Sequence, residues 1–421
     1  MVNSRSIITI HPSEIGGNIA APGSKSVTIR AVAAGLLAPF GTVIHRPSGC
    51  EDARVALEIA GKMGAQIRTD GETIEMTGGL KPFEGGIHCG DSGLAIRLFS
   101  AIAALYDFPV EFTGDATLQK RPMNDLPGAL CELGARVTTH KGYLPVRIQG
   151  PIKGGTATID GSVSSQYMTG LLMALPLLSD PSKIHLNNLR SKPYIDLTMD
   201  VMASFGIEVQ NIDYKTFVIP GSQVYSGGDY RVEGDWSGAA FMLAAGALQG
   251  PVKISNLDLK SRQADIRILD ALEKMGARLS ITSDTVVVAK SELKGFEFDI
   301  TDCPDLAPPL VALAAHCSGI SKLNGARRLQ VKESNRGQVM MSEFRKLGVD
   351  IRLSDNILYI DGGTVGGGIV FPHQDHRIAM AASILALKAQ KPVEVMDPEC
   401  VNKSYPDFFR DLKILGGHIH E

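Results

Sequence analysis

Two kinds of apolar stretch alternate along the chain. The first is amphipathic, with apolar residues recurring at three- and four-residue steps before a Gly and a short β-prone run, as in EDARVALEIAGKMGAQIR, which turns at Gly64. The same grammar returns every ~70 residues, turning at Gly134, Gly206, Gly276, Gly348 and Gly416. Each copy is expected to start at an Asp, Asn or Ser N-cap and to end where Gly takes the left-handed conformation. One unit copied six times predicts a repetitive body, divided most simply into two lobes of three.

The second kind is apolar nearly all round: SKSVTIRAVAAGLLA, DSGLAIRLFSAIAAL, SSQYMTGLLMALPLL, DWSGAAFMLAAGAL, DLAPPLVALAAHCSG and DHRIAMAASILALKA. Helices of this composition belong in a core, yet each begins with polar residues. Their N–H groups and positive dipole ends make six potential anion sites. The expected boundary falls near Arg231 to Gly234, giving lobes of residues 21–233 and 1–20 plus 234–421. The opening strand SIITIHP has no partner in the first repeat and is expected to pair with the other lobe.

A net charge of -3 over 421 residues excludes a global basic field, so nucleic acid is not an expected partner. Cys50, Cys89, Cys131, Cys303, Cys317 and Cys400 show no CxxC or metal spacing and read as small buried hydrophobes of a reduced compartment. No segment approaches eighteen uninterrupted apolar residues, and the N-terminal stretch lacks a secretory pattern. A cytoplasmic protein, without membrane attachment and monomeric, is the expectation.

Candidate chemistry gathers at the starts of the apolar helices. APGSKSVTIR places Lys25, Ser26 and Arg30 there, either an anion site or an ordinary helix start with an exposed lysine; the Gly spacing of a Walker loop is missing. GDSGLAIR offers Gly93, where a ligand can approach the backbone, and LQKRPMNDL offers Arg121 in a solvated loop or an anion clamp. Ser164, Ser165 and Gln166 suit a polyol or phosphate, or simply cap a helix, and SKPYIDL adds Ser191 and Tyr194. In the second half Asp305 precedes an apolar helix, as an N-cap or as a carboxylate held ionised by the dipole. QVKESNR brings Lys332, Glu333 and Arg336 into one turn, QDHRIAM brings His376 and Arg377, and VNKSYPDFF brings Lys403.

In order and content, the segments PGSKSxxxR, KRPMxDL, SSQYxTGLLMALPL, SKPYIDLT, VEGDWSxAAF, KESNR, DHRIAM and KSYPDFF, with the Gly93 loop, resemble the 3-phosphoshikimate 1-carboxyvinyltransferase family of enolpyruvyl transferases across essentially the whole chain. The resemblance implies an α/β fold of two similar lobes, each of three βαβαββ repeats in an inside-out α/β barrel, closing on the substrates. It implies carboxyvinyl transfer from phosphoenolpyruvate to the 5-hydroxyl of shikimate 3-phosphate in aromatic amino-acid biosynthesis, with neither metal nor organic cofactor. By the same resemblance Ser26, Arg30, Ser164, Ser165, Gln166, Ser191, Tyr194, Asp305 and Lys332 hold shikimate 3-phosphate. Lys25, Gly93, Arg121, Arg336, Arg377 and Lys403 surround phosphoenolpyruvate, and His376 is a further substrate-binding residue. Lys25, Asp305 and Glu333 carry protons.

The chain departs from the family pattern at Asp91, Ser92 and Leu94 around Gly93, at Leu98 where Pro is common, and at Arg328, Gln330 and Asn335 around KESNR. Those departures imply weakened inhibition by glyphosate, which occupies the phosphoenolpyruvate pocket in this family. The sister transferase acting on UDP-N-acetylglucosamine carries a reactive Cys in the loop matching LQKRPMNDL, and here no Cys lies there. A noncatalytic repeat scaffold is the reading of a different class, one that predicts exposed apolar patches and tolerance of Lys25→Ala.

Overall fold

The computed structural model describes residues 6–162 and 164–421. The first five residues of the opening segment and Val163 within SVSSQYMTG lie outside them. The chain divides into two units, Gly23–Val232 and Met1–Pro22 with Glu233–Glu421.

Among the described residues the strands form six four-stranded sheets, three in each unit. Every sheet has the same grammar: one parallel pair, then two antiparallel steps. In the repeat that shows it most simply, Ile87–His88 runs parallel to Pro109–Thr113 across the buried helix Gly93–Ala103. An outer helix, Leu126–Glu132, then leads to Arg136–His140 and Tyr143–Gln149, which complete the sheet antiparallel. This is a βαβαββ unit. A parallel pair cannot be joined by a tight turn, so the apolar helix is its crossover.

The six apolar segments form the buried helices Lys25–Leu37, Gly93–Ala103, Gln166–Ala174, Trp236–Gln249, Ala307–Ala314 and His376–Ala386. In Gly23–Val232 the helix Gly93–Ala103 packs on the other two, and in the other unit all three pack on one another. Composition explains this directly: with no polar face, such a helix is stable only when surrounded. The amphipathic segments form the outer helices, which bury one stripe against the sheets.

The opening strand Ile7–Ile10 is antiparallel to both Val393–Met396 and Ile419–His420, and Gly17–Ala20 is parallel to Val252–Ser255. Both early strands belong to the unit made from the second half of the chain.

The glycine part of the repeat grammar is present at all six positions. Gly64, Gly134, Gly206, Gly276, Gly348 and Gly416 each have positive φ and close an outer helix. The capping part differs from expectation. Among the six amphipathic segments only Asn335 caps with its side chain, accepting from the Gln338 N–H at 3.4 Å. The Asp of IDLT is interior to Lys192–Ser204, whose first position follows Ser191, and ADIR is a 3-10 turn. Proline at the second position of Lys192–Ser204 starts that helix earlier than its Asp would.

Two of these glycines predict different costs. An added Cβ at Gly276 meets nothing within 4 Å, whereas at Gly64 it would lie 2.5 Å from the Gly79 carbonyl oxygen. Gly276→Ala is expected to cost about 1 kcal/mol and Gly64→Ala about 3 kcal/mol. Thermal unfolding checks the order, and equal shifts in Tm would contradict it.

Candidate active site

In the unit Gly23–Val232, polar groups gather at the N-terminal ends of the buried helices. Lys25 opens the first of them, and its Nζ lies 3.0 Å from Oδ2 of Asp52. One turn on, Arg30 is 1% exposed. Its Nε donates to Thr198 Oγ1 at 2.9 Å, one Nη to the Ser26 carbonyl at 2.9 Å, and the other to Thr169 Oγ1 and the Tyr194 carbonyl, both at 3.4 Å. Among the described residues no carboxylate pairs with it, and burial pushes the guanidinium down to about 10. A buried cation satisfied only by hydroxyls and carbonyls is a strong receptor for a carboxylate or phosphate.

Arg97 organises the neighbouring helix starts. It donates to the Gly93 carbonyl at 3.1 Å, to Gln166 Oε1 at 2.9 Å and to the Pro122 carbonyl at 3.4 Å, and it lies over the Tyr167 ring. One guanidinium thus ties three candidate segments together. A Cβ on Gly93 would fall 2.3 Å from an Arg121 Nη and 2.8 Å from an Arg97 Nη, so the absent side chain makes room for two cations. Ser164 Oγ accepts from the Gln166 N–H at 3.2 Å. Ser165 is buried, and Ser191 is buried with φ 59° just ahead of Lys192–Ser204.

The unit containing Glu233–Glu421 holds a denser charge cluster. Arg336 is fully buried and touches three carboxylates: Asp375 through Nε at 2.9 Å and an Nη at 3.1 Å, Asp305 at 2.8 Å and Glu333 at 2.5 Å. Asp305, in the 3-10 turn Pro304–Leu306, also meets Lys332 at 3.3 Å and Arg377 at 3.4 Å. Burial alone would raise the Asp305 carboxyl, but Arg377, Lys332 and Arg336 hold it well below the usual carboxylate range. Burial pulls Lys332 down, with Asp305 opposing. Burial also works against the charge on Arg336, yet Asp375, Glu333 and Asp305 outweigh it and push that group up. Lys403 is buried at the end of the Pro398–Lys403 turn, which packs on the His376–Ala386 helix, and His376 is fully buried at that helix's first position.

The structure therefore brings Lys332, Glu333, Arg336, Arg377 and Asp305 together, and separately groups Ser26, Arg30 and Tyr194, and Gly93, Arg121 and Gln166. Lys332 and Glu333 lie just ahead of the helix Arg336–Arg345. One expectation changes. The buried helices do not supply six equivalent anion sites: Ser92, Asp235 and Asp375 already accept from Ala95, Gly238 and Arg377 N–H groups. The Asp91 carboxylate accepts from the Thr117 and Leu118 N–H groups, so its departure from the family pattern has a local structural task. Asp52, Thr169, Thr198, the pairing of Asp375 with Arg336 and the hub role of Arg97 were not read from sequence. Asp52 and Asp375 stand at helix starts, where an Asp ordinarily reads as a cap.

Solved structures share this arrangement of βαβαββ units. The solved EPSP synthase from Acinetobacter baumannii superimposes with a TM-score of 0.84 at 27% identity, over 98% of this chain and 99% of that one. The enolpyruvyl transferase NikO from Streptomyces tendae, at 19% identity and a TM-score of 0.82 over 99% and 98% of the two chains, shares the fold. A family model described as EPSP synthase (3-phosphoshikimate 1-carboxyvinyltransferase) matches residues 10–412. The 3-phosphoshikimate 1-carboxyvinyltransferase of Methanocorpusculum labreanum is 38% identical over 98% of this chain and 99% of the relative, and that of Clostridium perfringens strain 13 is 36% identical over 98% and 99%. The chain belongs to the EPSP synthase family, as the resemblance implied.

The buried cluster makes a stability prediction. Arg336→Met leaves Asp375, itself 0% exposed, without its guanidinium. Breaking such a pair is expected to cost about 3–5 kcal/mol, and adding Asp375→Asn should recover part of it. Thermal unfolding of the single and double variants checks this, and a double variant no more stable than the single would show that the pair is not the cause.

Proposed function

We propose that this chain transfers the carboxyvinyl group of phosphoenolpyruvate to the 5-hydroxyl of shikimate 3-phosphate, releasing phosphate, in aromatic amino-acid biosynthesis. One observation carries the reading beyond family membership: Asp305 and Glu333, two candidate proton carriers, share one buried cluster with Lys332, Arg336 and Arg377. Each substrate brings a phosphate and a carboxylate, so a site for both needs several cations. Addition across the enol double bond needs a base for the 5-hydroxyl proton and an acid for the methylene carbon; elimination of phosphate reverses both.

Asp305 is the base, Glu333 the carbon acid, and Lys25 assists the bridging oxygen. Ser26, Arg30, Ser164, Ser165, Gln166, Ser191, Tyr194 and Lys332, together with Asp305, receive shikimate 3-phosphate. Lys25, Gly93, Arg121, Arg336, His376, Arg377 and Lys403 serve phosphoenolpyruvate. Asp305 at rest is a poor proton acceptor because three cations hold it ionised. Incoming phosphate and carboxylate compete for those cations, and the proton affinity of Asp305 rises when they do. The base is thereby switched on by the substrates' own charge.

No helix among the described residues is long and apolar enough to cross a membrane. Six free cysteines, four of them buried, suit the cytoplasm, where we place the protein as a monomer.

Phosphate release with both substrates tests the assignment. Asp305→Ala and Glu333→Ala are each expected to lower kcat by roughly a hundredfold or more. Near-normal turnover in either would remove that residue from its role. Leu94 and Leu98, buried in the helix that starts at Gly93, shape the region behind the phosphoenolpyruvate groups. Glyphosate is accordingly expected to inhibit weakly, and restoring Thr and Pro at these two positions should strengthen inhibition; an inhibition constant unchanged by both would refute the link.

A further inference from the structure

The segment that delivers Arg377 passes through two residues in an unfavourable backbone region. His373 and Gln374 have φ of 54° and 60°, the left-handed conformation that costs energy for any residue bearing a side chain. Two such residues in a row persist only where their surroundings impose them. They lie between the strand Gly368–Val370 and the helix His376–Ala386, so their conformation sets how the chain enters that helix.

Glu343 supplies a restraint from the neighbouring helix Arg336–Arg345. It is 3% exposed; its Oε2 accepts from the Phe371 N–H at 2.9 Å, and its Oε1 meets His373 Nε2 at 3.4 Å. The Phe371 and His373 rings pack edge to face with centroids 4.6 Å apart, which joins the two contacts into one unit. A carboxylate offers only acceptors, so the His373 nitrogen facing it carries the proton. Burial works against the charge on Glu343, but Lys346, the Phe371 N–H and His373 outweigh it and hold the carboxyl below its ordinary value.

Arg336 stands two turns before Glu343, so both side chains leave the same face of one helix. Arg336 ties that face to Asp375 at 2.9 Å, and Glu343 ties it to Phe371 and His373. The stretch from Phe371 to Asp375 is thereby held at both ends.

We propose that Glu343 is a positioning residue for the carboxyvinyl transfer: gripping Phe371 and His373, it maintains the left-handed pair and so fixes the start of the helix that presents Arg377 to phosphoenolpyruvate. The inference rests on the function proposed above. Arg336 by itself anchors only Asp375, and a single anchor leaves the residues before it able to relax toward favourable φ. With both anchors in place the Asp375 N–H keeps its bond to the Pro372 carbonyl at 3.0 Å, and Arg377 stays 3.4 Å from Asp305. Substrate binding then spends nothing on ordering this segment.

The experiment compares wild type, Glu343→Ala, Glu343→Gln, His373→Asn and Lys346→Ala for KM of each substrate and kcat, with amide hydrogen exchange across Phe371 to Arg377 and melting curves. In Glu343→Ala the KM for phosphoenolpyruvate is expected to rise about tenfold, while the KM for shikimate 3-phosphate and kcat change by less than about threefold. Exchange of the Phe371 N–H should quicken by at least about tenfold in the same variant. Glu343→Gln keeps an acceptor for Phe371 and a hydrogen-bonding group for His373, and its KM should return to within about twofold of wild type. Asn tolerates the left-handed conformation but is too short to reach Glu343, so His373→Asn should raise the KM about threefold; it carries the test if Glu343→Ala does not fold. Lys346→Ala removes an exposed partner of Glu343 that does not touch the segment, and should leave the KM unchanged. A folded Glu343→Ala enzyme that melts lower but keeps wild-type KM and exchange overturns the proposal. So does a Gln variant as impaired as the Ala variant, a loss of kcat alone, or a Lys346→Ala effect equal to that of Glu343→Ala. A wild type inert with both substrates would overturn the proposed function, and the role in phosphoenolpyruvate binding with it, whatever the exchange data show.

Discussion

A guanidinium sealed away from water must find partners for all its donors, and in this protein that constraint organises the candidate site. Arg336 is wholly buried and bound by Asp375, Asp305 and Glu333, which come from three separate stretches of chain. Each segment is fixed because the others are. Asp375 caps the helix carrying Arg377, and Ser334 also donates to its carboxylate at 2.9 Å. Local capping and long-range ion pairing thus use the same side chain, so the helix start and the charge cluster cannot shift independently.

The other unit solves the same problem by different means. Arg30 is held by threonine hydroxyls and backbone carbonyls, partners that leave its positive charge unneutralised. Where Arg336 is pinned, Arg30 is exposed electrostatically though not to solvent. A low-dielectric pocket strengthens attraction for any anion that reaches it, and the hydroxyl shell keeps the guanidinium satisfied until then. Arg97 occupies a middle position, tied to Gly93, Gln166 and Pro122 and stacked on Tyr167.

Much of the architecture was readable because it depends on short-range rules. The six helix-ending glycines follow from the left-handed conformation that a helix C-terminus favours, and all six adopt it. The apolar segments had to be buried, and are. Caps were less readable, since Ser191 and its proline start one outer helix ahead of the expected Asp. The pairings inside the site were not readable at all from periodicity. Arg30 meets Thr198 at a separation of 168 residues, and Lys25 meets Asp52 at 27. The polar helix starts were readable from the pattern, but only the ordered resemblance of nine segments gave their residues separate roles. Residues outside those motifs' recognised roles, such as Asp52, Thr169 and Glu343, emerged only from the coordinates.

The threading of the early strands has a consequence for biosynthesis on the ribosome. Ile7–Ile10 is translated nearly four hundred residues ahead of its hydrogen-bonding neighbours, Val393–Met396 and Ile419–His420. Meanwhile Gly23–Val232 contains all the strands of its own three sheets and can close as soon as it is made. The nascent chain must therefore carry an unpaired, β-prone strand past a completed neighbour. Its alternating burial leaves Ile8 and Ile10 as the side chains that need shelter during that wait.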